Sequence, residues 1–241
     1  MRWLKILFPA ALVILQTCGL PNPYYLAPPG VGNFPAGIGT IATFTSLGYP
    51  TGGLTTFTGF DVYYKFLAAA PTGNDINLGG GGIPGPGNLT TNGFFPICLS
   101  TDLPPSQRTT PAIANILPAD AQMSFTITLN LATSTAATYS YTSPSTSTVI
   151  SVNIGRDVPY GSYPFNSKEF AYNNSGFTPQ PSPDYQSSDL DVSAIYSAAS
   201  TSPNGAYVVL YALAYGYEAG TSVVEYSTPV YIGYIQILPF P

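Results

Sequence analysis

The chain contains no histidine, and only 7% of its 241 residues are charged. The absence of an imidazole excludes Ser-His-Asp and Cys-His nucleophile systems, an imidazole general base and a typical zinc site. Six Lys and Arg residues are too few for the basic surface of a nucleic-acid-binding protein. Because the chain also has 24 glycines and 25 prolines, a helical bundle is nearly excluded. Length and composition predict one domain, or at most two, with long loops.

The first residues, MRWLKILFPAALVILQTC, have the pattern of an export signal. Arg2 and Lys5 form a short basic region, which is followed by an apolar run from Ile6 to Leu15. A transmembrane helix needs about 20 apolar residues, so this run is too short to span a bilayer and fits the core of a secretory signal. Soluble secretion and an uncleaved membrane anchor remain as alternatives.

The residues around Cys18 resemble the lipobox of bacterial lipoprotein precursors. In Leu15-Gln16-Thr17-Cys18-Gly19, a Leu lies three residues before the Cys and a Gly follows it, and Thr17 makes the motif similar to the looser lipoboxes of spirochaetes. The resemblance implies that residues 1–17 are a cleaved signal peptide and that the Cys18 thiol carries a diacylglyceryl group, with a further acyl chain on the new amino terminus. The Pro- and Gly-rich residues 18–37 are predicted to be an extended tether.

Cysteine chemistry depends on the same assignment, because Cys18 and Cys98 are the only two cysteines. A lipidated Cys18 leaves Cys98 without an intramolecular disulfide partner. The neighbours of Cys98 are apolar, so we expect a buried, inert thiol at this position. A reactive thiol or an intermolecular bridge at Cys98 stays open, and a Cys18–Cys98 disulfide is the alternative if Cys18 carries no lipid.

Alternation of apolar and polar side chains predicts an all-β domain over residues 38–241. Thr56–Ala68 places Phe60, Val62, Tyr64 and Phe66 on one face. Ala206–Tyr217 is apolar on both faces, which predicts a central strand. Val223–Leu238 is interrupted by Ser227-Thr228-Pro229 and is expected to be a kinked edge strand. The other predicted strands are Ile38–Ser46, Ser124–Leu131 and Ser147–Ile154.

Two segments, at about 71–117 and 155–204, are predicted to be long loop insertions because they are rich in Pro, Gly and polar residues. Within the second segment, a short helix at Asn166–Tyr172 and an unrecognised strand at Asp191–Ala198 are the alternatives to loop. Thr133–Ser147 is rich in Ser and Thr and is expected to be a hairpin connection.

Antiparallel strands with long polar connections predict an immunoglobulin-like β-sandwich. GFDVYYKF, residues 59–66, resembles the third strand of a fibronectin type III domain. AYVVLYALAYG, residues 206–216, and EYSTPVYIG, residues 225–233, resemble its last two strands, including a Ser-x-Pro kink. The expected fold is therefore a fibronectin type III-like antiparallel β-sandwich with long loop insertions.

Candidate chemistry is limited to carboxylates and tyrosines. Asp184, Asp189 and Asp191 lie close together in the sequence, and such groups serve calcium sites and glycosidases. The glycine and spacing of a calcium loop are missing, so solvated loop acids are the favoured interpretation, and no metal, cofactor or catalytic residue is predicted. The 19 tyrosines either pair across strands, the favoured interpretation, or form a partner-binding face.

Together these observations predict a lipid-anchored lipoprotein of the cell envelope, in the outer membrane, that displays or binds a ligand and is not an enzyme. Its predicted partners are the membrane, through the lipid on Cys18, and an unidentified protein or glycan ligand, whereas nucleic acid and small-molecule cofactors are not expected. The first alternative is an integral outer-membrane β-barrel, based on the Tyr-rich carboxyl-terminal run and Phe240. The second is a secreted glycan-active enzyme, based on the loop carboxylates.

Overall fold

The structure is a computed structural model of the chain. Cys18, the predicted signal peptide and Asp184 lie outside the residues that it describes, so the predictions made for them stay predictions. The described residues are 26–31, 38–39, 41–48, 55–78, 83–99, 125–130, 137–143, 146–160, 163–169, 189–193, 195, 206–218 and 223–237.

Twelve strands and two short helices are assigned within these ranges. Aromatic and β-branched side chains dominate the two longest strands, because such side chains fit a pleated, half-buried surface. No helix in the described part of the chain is long and apolar enough to cross a membrane. The strands are β1 (Gly30–Val31), β2 (Ile38–Gly39), β3 (Ile41–Gly48), β4 (Thr55–Leu67), β5 (Phe95–Leu99), β6 (Phe125–Asn130), β7 (Thr138–Thr142), β8 (Val149–Tyr160), β9 (Tyr163–Glu169), β10 (Ala206–Glu218), β11 (Val224–Tyr226) and β12 (Val230–Ile237), and the helices are α1 (Gly73–Ile76) and α2 (Gly87–Thr91).

The strands join in one hydrogen-bonded sheet with the order β1-β3-β6-β7-β8-β5-β4-β10-β12-β2, while β11 pairs with β10 and β9 with β8 beside this path. The pairs are antiparallel except for the two-residue contact between β2 and β12. The sheet curls so strongly that β12 comes close to β3, near the other end of the path. The prediction of an all-β, antiparallel domain is confirmed. The described strands form one continuous curled sheet, whereas a sandwich consists of two sheets.

The pairing of β4 with β10 organises the core. The two strands are in register from Tyr207 opposite Leu67 to Glu218 opposite Thr55, with one irregularity beside Tyr215. Their inward side chains pack against β6, β7 and β8, so the predicted central strand is confirmed. The buried residues that meet here are Phe60, Val62, Tyr64 and Phe66 from β4, Val208, Leu210, Ala212 and Ala214 from β10, and Phe125, Ile127, Leu129, Tyr139 and Ile154 from the facing strands.

The opposite face of β4 and β10, called the outer face below, is partly covered by residues 71–78 and 83–94. The Tyr211 hydroxyl donates to the carbonyl oxygen of Ile76 at the end of α1. Lys65 Nζ lies 5.5 Å from the centre of the Phe94 ring, within the range of a cation–π interaction. Part of the first predicted loop insertion is therefore a packed cover. Its buried apolar contacts with the sheet involve Tyr63, Leu89, Phe94, Val209, Tyr211 and Leu213.

The kink predicted in the last strand separates β11 from β12. Pro229 has no N–H group for the ladder. Within the same interruption the Ser227 hydroxyl oxygen accepts a hydrogen bond of 2.9 Å from the backbone N–H of Ala214. The side chain thus satisfies a buried donor where the regular ladder is broken, and β12 resumes pairing with β10 beyond the kink. The kink is confirmed. Among the described strands, the two-residue β2 pairs with the far side of β12, so β12 is not the edge strand that the sequence predicts.

β5 and β7 both lie in segments that the sequence predicts to be loop. β7 occupies part of the predicted connection Thr133–Ser147, and its sequence, TYSYT, buries only Tyr139 fully. β5 lies in the insertion at 71–117 and contains Pro96, which disfavours a strand because it lacks a ladder donor. Pro96 is tolerated because β4 and β5 pair over only two residues.

The second predicted insertion, at 155–204, begins as sheet. β8 runs on to Tyr160 and pairs with β9. The helix predicted at Asn166–Tyr172 is wrong for its described residues, because residues 166–169 belong to β9. The alternative strand at Asp191–Ala198 is also wrong, because its described residues form a turn that leads into helical backbone.

The folded domain begins before the predicted boundary at residue 38. Leu26 is almost completely buried. Gly30 and Val31 of β1 pair with Gly48 and Ser46 of β3. Residues 26–31 therefore belong to the folded domain and not to the extended tether predicted over 18–37.

Candidate functional site

Arg156 forms a buried ion cluster with Asp189 and Asp191. Its Nη1 atom lies 2.6 Å from Oδ2 of Asp191, and its Nη2 atom lies 3.6 Å from Oδ2 of Asp189. The Tyr64 hydroxyl donates to the same oxygen of Asp191 at 2.7 Å. Arg156 and Asp189 are completely buried. Because an unpaired charge in the core is strongly destabilising, these groups are tolerated there only as a set.

The ion cluster fixes the turn at residues 189–195 against the core. The backbone N–H groups of Val192 and Ser193 both donate to the carbonyl of Asp189, which closes the turn. The side chains of Val192 and Ile195 are buried in the core. The interpretation of Asp189 and Asp191 as solvated loop acids is therefore wrong, because both side chains are buried and Arg156 is their counter-charge. No group of three or more His, Cys, Asp or Glu side chains in the described part of the chain could hold a metal.

The register of β8 carries Arg156 into the core. The alternation predicts inward positions for Ile150, Val152 and Ile154, and Arg156 is the next residue of the same parity. The exposed fraction falls along this row, from 36% at Ile150 to nearly zero at Ile154 and Arg156. The predicted inward position is therefore wrong for Ile150 and confirmed for Ile154. A charged residue at an inward strand position requires a buried counter-charge, and this signal in the sequence could have located the cluster.

Asp61 is a second buried carboxylate, on the outer face of β4. It lies opposite Leu213 of β10, and only 6% of it is exposed. Its Oδ1 atom is buried and has no hydrogen-bond partner among the described residues. The carboxylate of Asp61 interacts electrostatically with the hydroxyls of Tyr63 and Tyr226. In contrast to Asp191, which lies beside Arg156, Asp61 has the phenols of Tyr63 and Tyr226 as its electrostatic neighbours in the described part of the chain.

The alternation of β10 gathers tyrosines around this carboxylate. Tyr215 and Tyr217 follow Leu213 at odd-numbered positions, and Tyr226 of β11 lies directly opposite Tyr215, with 6.3 Å between the ring centres. Tyr226 also interacts electrostatically with Tyr215 and Tyr217. We call the group formed by Asp61, Tyr63, Tyr215, Tyr217 and Tyr226 the acidic tyrosine cluster.

Desolvation controls the ionisation of the acidic tyrosine cluster. Burial raises the pKa of Asp61 from 3.8 to about 7, because removing the carboxyl group from water disfavours its charged form. Burial, followed by the neighbouring Asp61 carboxylate, raises the pKa of Tyr63 and of Tyr226 above the usual phenol value. Near neutral pH the cluster therefore consists of a partly ionised carboxylate among neutral phenols.

The acidic tyrosine cluster has both buried and solvent-exposed members. Tyr217 is 41% exposed, and Val223 and Val224 beside it are also exposed. Val224 pairs with Tyr217 in the sheet. The cluster thus has a buried acid at its base and an exposed apolar rim formed by these three side chains. Such a combination suits an amphipathic ligand better than a purely polar one.

Tyrosine pairing across strands explains most of the remaining rings. Tyr207 faces Tyr234 at 6.3 Å, and Tyr211 faces Tyr231 at 5.7 Å, measured between ring centres. The interpretation of the tyrosines as cross-strand pairs is confirmed for these positions.

The predicted lipidation residue, Cys18, lies outside the described residues, so the structure does not bring it into any site. Cys98 is completely buried in β5, as its apolar neighbours predict. No protein-family model, curated protein or solved structure matches the chain.

Substituting Arg156 by Met is expected to destabilise the domain by about 3–5 kcal/mol, because Asp189 and Asp191 would lose their buried counter-charge. Urea unfolding at pH 7, followed by circular dichroism, measures this loss. The matched control, Lys65→Met, removes a partly exposed cation whose carboxylate partner is 3.9 Å away, and we expect a loss below about 1 kcal/mol. Equal effects of the two substitutions would contradict the assignment.

Substituting Asp61 by Asn is expected to flatten the dependence of stability on pH. A folded-state pKa of about 7 against an unfolded value of 3.8 means that the folded state holds the extra proton between these values. Stability of the unsubstituted chain should therefore fall by about 2–3 kcal/mol from pH 5 to pH 8 through this group. Urea unfolding at both pH values checks this. Asp75→Asn should retain the slope, and an Asp61→Asn slope equal to that of the unsubstituted chain would disprove the claim.

Proposed function

We propose that the chain is a lipid-anchored lipoprotein of the cell envelope that binds a ligand and has no catalytic role. The observation that carries the anchor is Cys18 in its context, Leu15-Gln16-Thr17-Cys18-Gly19, behind a basic and then apolar leader. One acyl chain binds a membrane only marginally, whereas two or three chains hold a protein firmly. A diacylglyceryl thioether on Cys18 with a further acyl chain meets this requirement. We place the anchor in the outer membrane.

The early start of the folded domain limits how far the domain could stand from the lipid. Leu26 is already part of the core. A fully extended chain spans at most about 3.6 Å per residue, so Leu26 would lie within roughly 29 Å of a lipidated Cys18. The domain would therefore work close to the bilayer surface and not at the end of a long stalk.

The acidic tyrosine cluster supports a binding role. Tyrosine rings provide a rigid contact area at low entropic cost, and their hydroxyls provide hydrogen bonds. The rim at Tyr217, Val223 and Val224 is exposed. The alternative of a glycan-active enzyme loses its support, because two of the three acids on which it depends, Asp189 and Asp191, form ion pairs with Arg156.

A fibronectin type III-like arrangement is proposed only for one part of the sheet. The three segments that resemble fibronectin strands lie in β4, β10 and β11–β12, which are neighbours in the order β4-β10-β12. Neighbouring third, sixth and seventh strands are what an immunoglobulin-like sheet contains. The continuation through β5 and β8 to β7 and β6 makes the complete sheet different from two separate layers.

Substituting Cys18 by Ala tests the anchor. Cells that express the full chain are labelled with palmitate, and the protein is then partitioned with a detergent that separates membrane from aqueous material. We expect the substitution to abolish labelling and to move the protein to the aqueous phase. The control, Cys98→Ala, removes the other thiol and should leave labelling and partitioning unchanged. Labelling that survives in Cys18→Ala, or an uncut leader in the mass of the mature protein, would overturn the proposal.

A further inference from the structure

The buried, unpartnered oxygen of Asp61 is a feature that the fold alone does not explain. Buried carboxylates are normally hydrogen-bonded or paired with a cation. Oδ1 of Asp61 has no partner among the described residues although only 6% of the residue is exposed. A carboxyl in this position destabilises the protein unless another group offsets its charge.

The cations whose side chains the structure places are held elsewhere. Lys65 lies on the same face of β4 but contacts Asp75 and the Phe94 ring. Arg156 lies inside the core with Asp189 and Asp191. Lys65 and Arg156 are the two of the six Lys and Arg residues whose side chains the structure describes, and we take the counter-charge of Asp61 to come from outside the chain.

We propose that the acidic tyrosine cluster binds an alkylammonium group, such as a lysine side chain of a partner, whose N–H donates to Oδ1 of Asp61 while its methylene stem packs on the tyrosine rings and the rim. This inference rests on the proposed function, because it names the ligand class of the same binding module. Tyr226 and Tyr215 would line the stem, and Tyr217 with Val224 would form the entrance.

The chemistry of the cluster distinguishes this ligand from other cations. A calcium ion requires six to eight oxygen ligands, whereas Asp61 is the single carboxylate of the cluster. A quaternary ammonium would interact with the rings but has no N–H for the unpartnered oxygen. Ethanolamine has the N–H donors but a stem too short to cover the exposed valines of the rim. A lysine-type group has the charge, the donors and the apolar stem.

The proposed contact makes binding dependent on pH. The phenols of Tyr63 on β4 and Tyr226 on β11 interact with Asp61, and Tyr215 and Tyr217 on β10 interact with Tyr226. Phenols are uncharged between pH 5.5 and 8. A lysine-type amine stays protonated over this range. Because Asp61 must be ionised to accept the ammonium, affinity should rise as the pH increases through about 7, by about thirtyfold between pH 5.5 and 8.

The test is a titration of the purified full-length lipoprotein in detergent with Nα-acetyl-lysinamide, followed by NMR chemical shifts of the tyrosine rings. We expect saturable binding at pH 8, at least tenfold weaker binding to Asp61→Asn, and unchanged binding to the control Asp75→Asn. The Nε-acetylated, the Nε-trimethylated and the ethanolamine probes should each bind at least tenfold more weakly. The thirtyfold dependence on pH should disappear in Asp61→Asn.

Several outcomes would overturn the inference. Absence of saturable lysinamide binding, equal binding by Asp61→Asn, or equal binding of the neutral Nε-acetylated probe would each do so. Equal or tighter binding of ethanolamine would overturn the assignment to a lysine-type stem. Urea unfolding of Asp61→Asn shows whether the variant is folded, and if it is not, the neutral and trimethylated probes decide the question on the unsubstituted chain. Acylation of Cys18 is measured separately, so loss of lysinamide binding with intact acylation rejects this ligand and leaves the lipid anchor standing.

Discussion

The pairing of β4 with β10 buries both faces of a two-strand unit, and this constraint decides where the few charged side chains can lie. One face packs into the core beneath β6, β7 and β8. The other is covered along part of its length by residues 71–78 and 83–94. A chain with 7% charged residues can satisfy such a demand because most positions of both strands are apolar or tyrosine. Besides Glu218 at the end of β10, Asp61 and Lys65 are the charged residues of the two strands, and they are therefore the positions at which chemistry is expected.

Two buried carboxylates show two different responses to burial. Asp191 receives a guanidinium at 2.6 Å and a phenol at 2.7 Å, and this arrangement ties a distant turn to the core. Asp61 interacts electrostatically with the phenols of Tyr63 and Tyr226, and burial raises its pKa to about 7. The first arrangement stabilises the fold, because removing any member leaves a charge without compensation. The second arrangement gives Asp61 a pKa close to neutral pH beside an exposed apolar rim. Such perturbed pKa values are found at binding and functional sites more often than at structural ones.

The sequence predicts the parts of the fold in which periodicity is strong. β4, β6 and β10 follow from alternation alone, as does the kink at Ser227-Thr228-Pro229. β7 is not predicted because its sequence, TYSYT, has no alternating apolar residues, and pairing with neighbouring strands stabilises it. β5 is not predicted because Pro96 has no N–H group for the ladder and therefore disfavours a strand. The ion cluster joins Arg156 to a turn more than 30 residues away in the sequence. The alternation of β8 predicts that Arg156 points inward, but it does not predict which carboxylates it meets. Asp61 could be assigned to the outer face, but the closure of that face by α1, α2 and Tyr226 of β11 depends on tertiary packing.

Asp61 is a buried carboxyl without a compensating cation among the described side chains, and its own titration tests this most directly. Carbon-13 NMR of the side-chain carboxyl groups, recorded from pH 4 to 9, resolves the Asp61 signal as the one that is lost in Asp61→Asn. The account predicts a midpoint near 7 for this signal. A midpoint near 4, the value of an ordinary aspartate, would show that the carboxylate is solvated or paired, and would contradict the account.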